Sequence, residues 1–183
     1  MKEIVRSAAI VAVVLGLAAA PAFARTAKKR TAKAPNDTTF VAKAARGGMA
    51  EVELGKLATE KASSDEVKKF GQRMVDDHSK ANDELKSIAQ QKNMTVPSDL
   101  SAKDKALRDR LSKLSGAAFD RAYMRAMVTD HREDVNEFRV ESKSGKDAEV
   151  KAFAAKTLPT LEEHLKAAQD ANKSVVGTSG VKK

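Results

Sequence analysis

Residues 93–117 read NMTVPSDLSAKDKALRDRLSKLSGA. Asn93 and Pro97 break a helix at the start of this stretch, and Ser115 with Gly116 makes a second break near its end. Between the breaks, Ser101 to Leu114 carries Leu107, Leu111 and Leu114 at helical spacing. The stretch is therefore a long connection with a short amphipathic helix inside it. About 14 helical residues cover roughly 21 Å, enough to travel the length of a helical bundle. The neighbouring connections are tight: Ser63-Ser64-Asp65-Glu66 before it, and Ser144-Gly145 followed by Asp147 after it.

Four apolar segments flank these breaks, each at helical period. The first, from about Thr38 to Ala62, has the stripe Val41, Ala44, Gly48, Val52, Gly55 and Ala58, whose small residues let a neighbouring helix approach closely. Glu51 lies on that stripe and Glu53 nearly opposite it. Ser63 with Glu66 reads as a capping box for the second helix. That helix runs to about Lys92 on Val67, Phe70, Met74, Ala81, Leu85 and Ile88. The third, from about Ala117 to Lys143, is built on Phe119, Tyr123, Met127 and Phe138. Gly145 is its C-cap residue and Asp147 the next N-cap. The fourth runs to about Asn172 on Val150, Phe153, Thr157, Leu161, Leu165 and Ala168, with Pro159 expected to bend it.

Tight turns make each flanking pair of helices antiparallel. One long connection between the pairs gives an all-α, four-helix bundle with a crossover, the ferritin-like arrangement. The strings Glu66-Val67-Lys68-x-Phe70 and Glu149-Val150-Lys151-x-Phe153 open the second and fourth helices alike, as two related hairpins would. The crossover makes the second and third helices run parallel.

The ends are of a different kind. Residues 1–24 have a basic start (Lys2, Arg6), an apolar run from Ala8 to Ala20, and Ala22-Phe23-Ala24, which fits a signal peptide cleaved after Ala24. The alternative is an uncleaved membrane anchor. Residues 25–37 are basic and aperiodic, the pattern of a disordered linker, and residues 173–183 resemble them. The formal charge of +9 sits mostly in these ends, because residues 38–172 hold 24 basic against 23 acidic side chains. A near-neutral domain with one Tyr and no Trp is not a nucleic-acid reader. The basic ends suit contact with an anionic envelope surface, or mere solubility. The absence of Cys accords with export and excludes every thiolate site. No feature of the sequence sets an oligomeric state.

One pentad occurs twice, Met74-Val75-Asp76-Asp77-His78 and Met127-Val128-Thr129-Asp130-His131. Each His lies near the middle of its helix, as Glu51 does in the first. His164, the third of three histidines, falls inside the stripe of the fourth helix about one turn past its midpoint. The expectation is one polar layer of Glu51, Asp77, His78, Asp130, His131, Asp134 and His164 inside an otherwise apolar bundle. Carboxylates with imidazoles suit zinc, iron or manganese, and thioethers with imidazoles suit copper. The metal-ligand candidates are Glu51, His78, His131, Asp134 and His164, with Asp77, Asp130, Met74 and Met127 behind them or as alternates.

Five strings carry a family resemblance: Glu51-Val-Glu-Leu-Gly-Lys-Leu-Ala, Arg73-Met-Val-x-Asp-His78, Ser115-Gly-Ala-Ala-Phe-Asp120-Arg-Ala-Tyr123, Met127-Val-x-Asp-His131 and Thr157-Leu-Pro-Thr-Leu-Glu-x-His164. Through them the chain resembles the exported bacterial family called domain of unknown function 4142, over about Thr38 to Ala171. The resemblance implies a ferritin-like bundle and a periplasmic or outer-membrane location. It implies no established activity.

Two functional readings follow. In the first, the chain is a non-catalytic envelope interaction or stress-protective bundle, and its acid–His layer is structural, each His pairing with a carboxylate across a helix interface. In the second, it is a periplasmic binder of copper, zinc or iron. An enzyme is the weaker case. Di-iron bundles place Glu-x-x-His on two helices, whereas Val75, Val128 and Leu161 stand three residues before the histidines here. Neither a Gly-x-Ser-x-Gly elbow nor a phosphate-binding Gly-rich loop is present. Convergence of at least three of the named nitrogen and carboxylate atoms to within about 4–5 Å of a common point separates the two readings.

Overall fold

A computed structural model of the chain describes residues 36–177. Five helices follow in order: α1 (Asp37–Lys61), α2 (Asp65–Gln91), α3 (Ala102–Ser112), α4 (Gly116–Ser144) and α5 (Ala148–Gly177). No strand occurs among the described residues. α1 and α2 pack closely as one hairpin and α4 and α5 as the other, with α1 also against α4 and α2 against α5. The fold is all-α, four long helices with α3 as the crossover, lying on α1 and α4.

Local chemistry explains the breaks. Asn93, at φ +53°, ends α2 in the left-handed conformation that Asn tolerates, and Met94 N–H donates back to Ala89 O at 2.8 Å. Ser101 caps α3 by accepting from Asp104 N–H. Asp147 caps α5 by accepting from the N–H groups of Glu149 and Val150. α5 is a continuous helix through Pro159.

Each hairpin turn is held by a carboxylate from the other hairpin. Asp120, buried in the first turns of α4, accepts from the N–H groups of Ser63 and Ser64 and from Ser63 Oγ. Asp37, the first residue of α1, accepts from the N–H groups of Lys146 and Asp147. The two clamps put the start of α1 beside the end of α4, and the start of α2 beside the start of α4. The second and third long helices therefore run parallel, as the crossover demands. The clamp also corrects the capping-box expectation. Ser64, not Ser63, is the α2 N-cap residue; it makes no side-chain cap bond, and Glu66 is exposed. Ser63 spends its hydroxyl on Asp120 instead.

The ends differ modestly from expectation. Asn36 and Asp37, assigned to the linker, are the N-cap and first residue of α1, and Asn36 Oδ1 accepts from Thr38 N–H. α5 continues to Gly177, five residues beyond the expected end at Asn172, because Ala168, Ala171 and Val175 extend the buried stripe. The signal-peptide and linker assignments for residues 1–35, and the tail assignment for 178–183, lie outside the described residues.

The core has two apolar clusters. One gathers Leu54, Phe70, Met74, Leu111, Phe119, Tyr123, Met127 and Ala171. The other gathers Phe40, Val41, Leu85, Val135, Phe138, Val150, Phe153 and Leu161. Along every long helix the switch from one cluster to the other falls at a buried polar residue: Glu51, His78, His131 and His164. The bundle is two oily halves with a polar layer between them. Gly55 and Gly71 bring α1 and α2 together: a methyl on Gly55 would lie 2.6 Å from Gly71 O, so only glycine fits the crossing.

Candidate metal centre

Helical periodicity turns Glu51, His78, His131 and His164 inward, and the two hairpin clamps set them at one level. Their exposures are 1%, 6%, 0% and 1%. The three imidazoles form a near-equilateral triangle, with ring centroids 5.8 Å apart for His78 and His131, 5.3 Å for His78 and His164, and 5.4 Å for His131 and His164. One ring nitrogen from each lies within 4.8 Å of the other two.

On each ring one nitrogen has a partner. His78 Nδ1 lies 2.9 Å from Glu51 Oε2. His131 Nδ1 lies 3.1 Å from the carbonyl oxygen of Met127, to which it donates. His164 Nε2 lies 2.9 Å from Asp77 Oδ2, and Asp77 in turn accepts from Arg73 Nε at 3.2 Å. Arg73 also reaches Glu163 at 2.7 Å, on the exposed face of α5. The other three nitrogens, His78 Nε2, His131 Nε2 and His164 Nδ1, are buried without a hydrogen-bond partner. His131 Nε2 is 3.2 Å from Glu51 Oε1, close enough for charge to act, but the contact is not a hydrogen bond and both atoms stay unsatisfied.

Charge states follow from these surroundings. Burial pushes the Glu51 carboxyl up, but the His78 and His131 imidazoles outweigh it and hold the group below its usual range. Burial pushes His78 down, and the Glu51 charge and hydrogen bond more than reverse that. His131 is lowered, mainly by burial. His164 falls to about 4, through burial first and then the cationic neighbours, although its bond to Asp77 pulls the other way. Asp77 is itself lowered, since His164 and Arg73 overcome its burial. The two results agree if a neutral His164 donates Nε2–H to an ionised Asp77. That tautomer leaves the Nδ1 lone pair free, and neutral His131, donating from Nδ1, leaves its Nε2 lone pair free.

Glu51 also belongs to a second group. One oxygen each from Glu51, Asp130 and Asp134 lies within 4.8 Å of the others. Burial and the Glu51 charge push the Asp130 carboxyl up to about 7 and Asp134 well above the carboxylate range. Asp130 also forms part of the wall of an open groove of about 580 Å³ between α3 and α4.

The sequence candidates therefore divide. His78, His131 and His164 meet directly. Glu51 touches two of them and also joins Asp130 and Asp134. Asp77 stands behind His164. Met74 and Met127 are packed in the apolar cluster, where Met127 serves the site through its backbone carbonyl. Sequence reading missed two buried acids. Asp120 follows Phe119 and was visible only as part of a string. Glu141 is 1% exposed, and burial beside Asp37 lifts its carboxyl to about 7.

The model of the family described as "Domain of unknown function (DUF4142)" matches residues 22–171. The chain belongs to the DUF4142 family. No curated protein matches it. Its fold is similar to solved structures of low sequence identity. A DUF305 fragment from Deinococcus radiodurans superposes with a TM-score of 0.67 at 14% identity, covering 76% of this chain and 97% of that one. A DUF305 protein from Streptomyces coelicolor, classed provisionally as secreted, gives 0.66 at 14% identity over 76% and 91%. CopM in its Cu(I)-bound form gives 0.64 at 17% identity over 76% and 97%. At these identities the likeness is one of fold.

Proposed function

We propose that this DUF4142 chain is an exported metal-binding protein whose triad of His78, His131 and His164 holds one copper ion as Cu(I). The observation that carries the reading is the set of three buried ring nitrogens without partners, one on each imidazole, in rings whose other nitrogen is already fixed by a neighbour. This is how metal-ligating histidines are oriented. An orphaned buried polar group costs roughly 1–3 kcal/mol, so three set about 3–9 kcal/mol against folding that a bound cation would offset. With one nitrogen of each ring within 4.8 Å of the other two, bonds of about 2.0–2.1 Å need inward movements of roughly 0.7 Å or less.

Charge favours a monovalent ion. Glu51 is the carboxylate kept ionised against the imidazoles, while Asp130 and Asp134 are held towards their protonated forms. One negative charge in a buried centre balances one positive charge. Imidazole donors suit copper and zinc alike, and the Cu(I)-bound neighbour of the same fold favours copper. Export rests on the signal-like residues 1–24 and accords with the class of the Streptomyces neighbour. The basic ends, in this reading, meet the anionic envelope surface.

A purely structural acid–His layer, the first of the two sequence readings, accounts for Nδ1 of His78 and His131 and for Nε2 of His164. It gives His131 Nε2 only the 3.2 Å charge contact with Glu51 Oε1 and assigns nothing to His78 Nε2 or His164 Nδ1. The test is Cu(I) and Zn²⁺ binding to tag-free residues 25–183 in competition with a chelator. One Cu(I) per chain is expected, weakened by more than about a hundredfold in His78→Ala and His131→Ala, a loss larger than removing an outer-shell partner gives. No binding above background, with both variants merely less stable, returns the layer to a folding role. Tighter Zn²⁺ than Cu(I) binding refutes the choice of metal.

A further inference from the structure

We propose that Glu51, Asp130 and Asp134 form a second cation site, specific for an oxygen-preferring divalent ion and joined to the imidazole triad through Glu51. The proposal rests on the reading above only for the identity of the neighbouring ion. Three observations meet here. An oxygen from each carboxylate lies within 4.8 Å of the others. Glu51, 1% exposed, keeps Oε1 without any hydrogen bond, although Oε2 is engaged by His78. A small void of about 20 Å³ is lined in part by Glu51, His78, Asn82 and Asp134, with Asp130 outside its lining. A void of about 10–15 Å³ is the minimum for one water-sized occupant, so this one admits a single ion or ligand water.

Donor chemistry separates the two sites. Three neutral imidazoles select a soft or borderline ion, and three carboxylates select a hard one such as Mn²⁺, Mg²⁺ or Ca²⁺. Glu51 can serve both because Oε2 is bonded to His78 while Oε1, 3.2 Å from His131 Nε2, makes no hydrogen bond. Bridging carboxylates of this kind hold ions about 3.5–4 Å apart in two-metal sites. The helices favour the arrangement: Asp130 and Asp134 are one turn apart on α4 and flank His131, so both carboxylates project beside the imidazole that faces Glu51. Gly48 makes room for the Asn82 side chain at the edge of this void, since a methyl there would sit 2.2 Å from Asn82 Oδ1. Asp130, in the wall of the open groove under α3, gives this site a solvent side that the triad lacks.

The probe is Mn²⁺, whose free-ion electron paramagnetic resonance signal falls as it binds. Metal-free residues 25–183 are titrated with Mn²⁺ as wild type, Asp130→Asn, Asp134→Asn and His164→Ala, before and after Cu(I) loading. Asn is isosteric with Asp, and circular dichroism confirms that each variant is folded. One Mn²⁺ per chain is expected in the wild type, weakened at least tenfold in both Asn variants and within twofold of wild type in His164→Ala. Absence of stoichiometric Mn²⁺ at millimolar concentration, or binding unchanged in both Asn variants, overturns the second site. Mn²⁺ binding without Cu(I) binding overturns the imidazole reading and leaves the carboxylate site standing. Cu(I) binding without Mn²⁺ does the reverse.

Discussion

Proton competition gives the sharpest test of the triad. A metal binds an imidazole only through a deprotonated nitrogen, so lowering the pH weakens binding by the number of protons the ion must displace. Three ordinary imidazoles at 6.5 would each be half protonated at that pH and mostly protonated one unit below. Between about pH 6.5 and 5.5 such a site loses affinity by roughly 170-fold. The centre here differs. His164 titrates at about 4 and stays neutral over this range, and His131 is lowered, so it holds less proton than an ordinary imidazole. His78, raised by Glu51, holds a proton that the ion must displace. With His164 contributing nothing, the expected loss of Cu(I) affinity stays below about 55-fold across that pH unit, with fewer than two protons displaced per ion. The assay is competition against a Cu(I) chelator at a series of pH values, paired with proton release in weakly buffered solution. A loss above a hundredfold, or more than two protons released per ion, refutes the assignment of a neutral His164.

The same groups govern the stability of the metal-free protein. His164 binds its proton near 4 when folded and near 6.5 when unfolded, so the unfolded chain takes up more protons between those values and stability falls as pH drops through them. The full loss is about 3 kcal/mol. Urea unfolding at pH 7 and pH 4 should show His164→Leu losing that much less than wild type, and equal losses in both proteins contradict it. Asp120→Ala removes three hydrogen bonds from the α1–α2 turn. Chemical denaturation at neutral pH should report a cost of about 2–4 kcal/mol. Gly55→Ala gains about 1 kcal/mol of helix propensity, but its methyl meets the Gly71 carbonyl at 2.6 Å, and backbone cannot step aside. A net destabilisation of about 1–2 kcal/mol is expected in thermal melts, and a more stable variant would disprove the tight crossing.

Much of the architecture was legible because helix formation and chain breaks are local. Asn93 and Pro97, Ser115 and Gly116, and Gly145 with Asp147 each act on their own backbone, so the reading from residues alone placed the five helices within a few residues. The capping box failed for the opposite reason. Ser63 looks like a cap for the three residues that follow, where its oxygen would accept from a backbone N–H, yet its hydroxyl donates to Asp120, 57 positions away, in a charge-assisted bond that directs the side chain off the helix end. The end of α5 was set short because Val175 is buried by packing that no window around residue 172 reveals.

The candidate site shows the same division. Periodicity alone put Glu51 and His164 on inward faces and set Asp77 with His78, and Asp130 with His131, on either side of their stripes, while helix midpoints put Glu51, His78 and His131 at one level with His164 about one turn away. Residue type alone named a metal as one of two uses. Which nitrogen of each ring is satisfied, and which is left over, depended on Met127 O, one turn back on the helix of His131, and on Asp77 and Glu51, which only the packed bundle brings into reach. The adjacent Asp and His of each pentad likewise look equivalent in sequence, but Asp77 turns to Arg73 and His164 while Asp130 turns to Glu51 and Asp134. A helix fixes the direction of a side chain through 100° per residue, so sequence determined which side chains could enter the layer. Their hydrogen bonds and charge states depend on distances of a few ångströms between helices, and those distances were set by the tertiary fold.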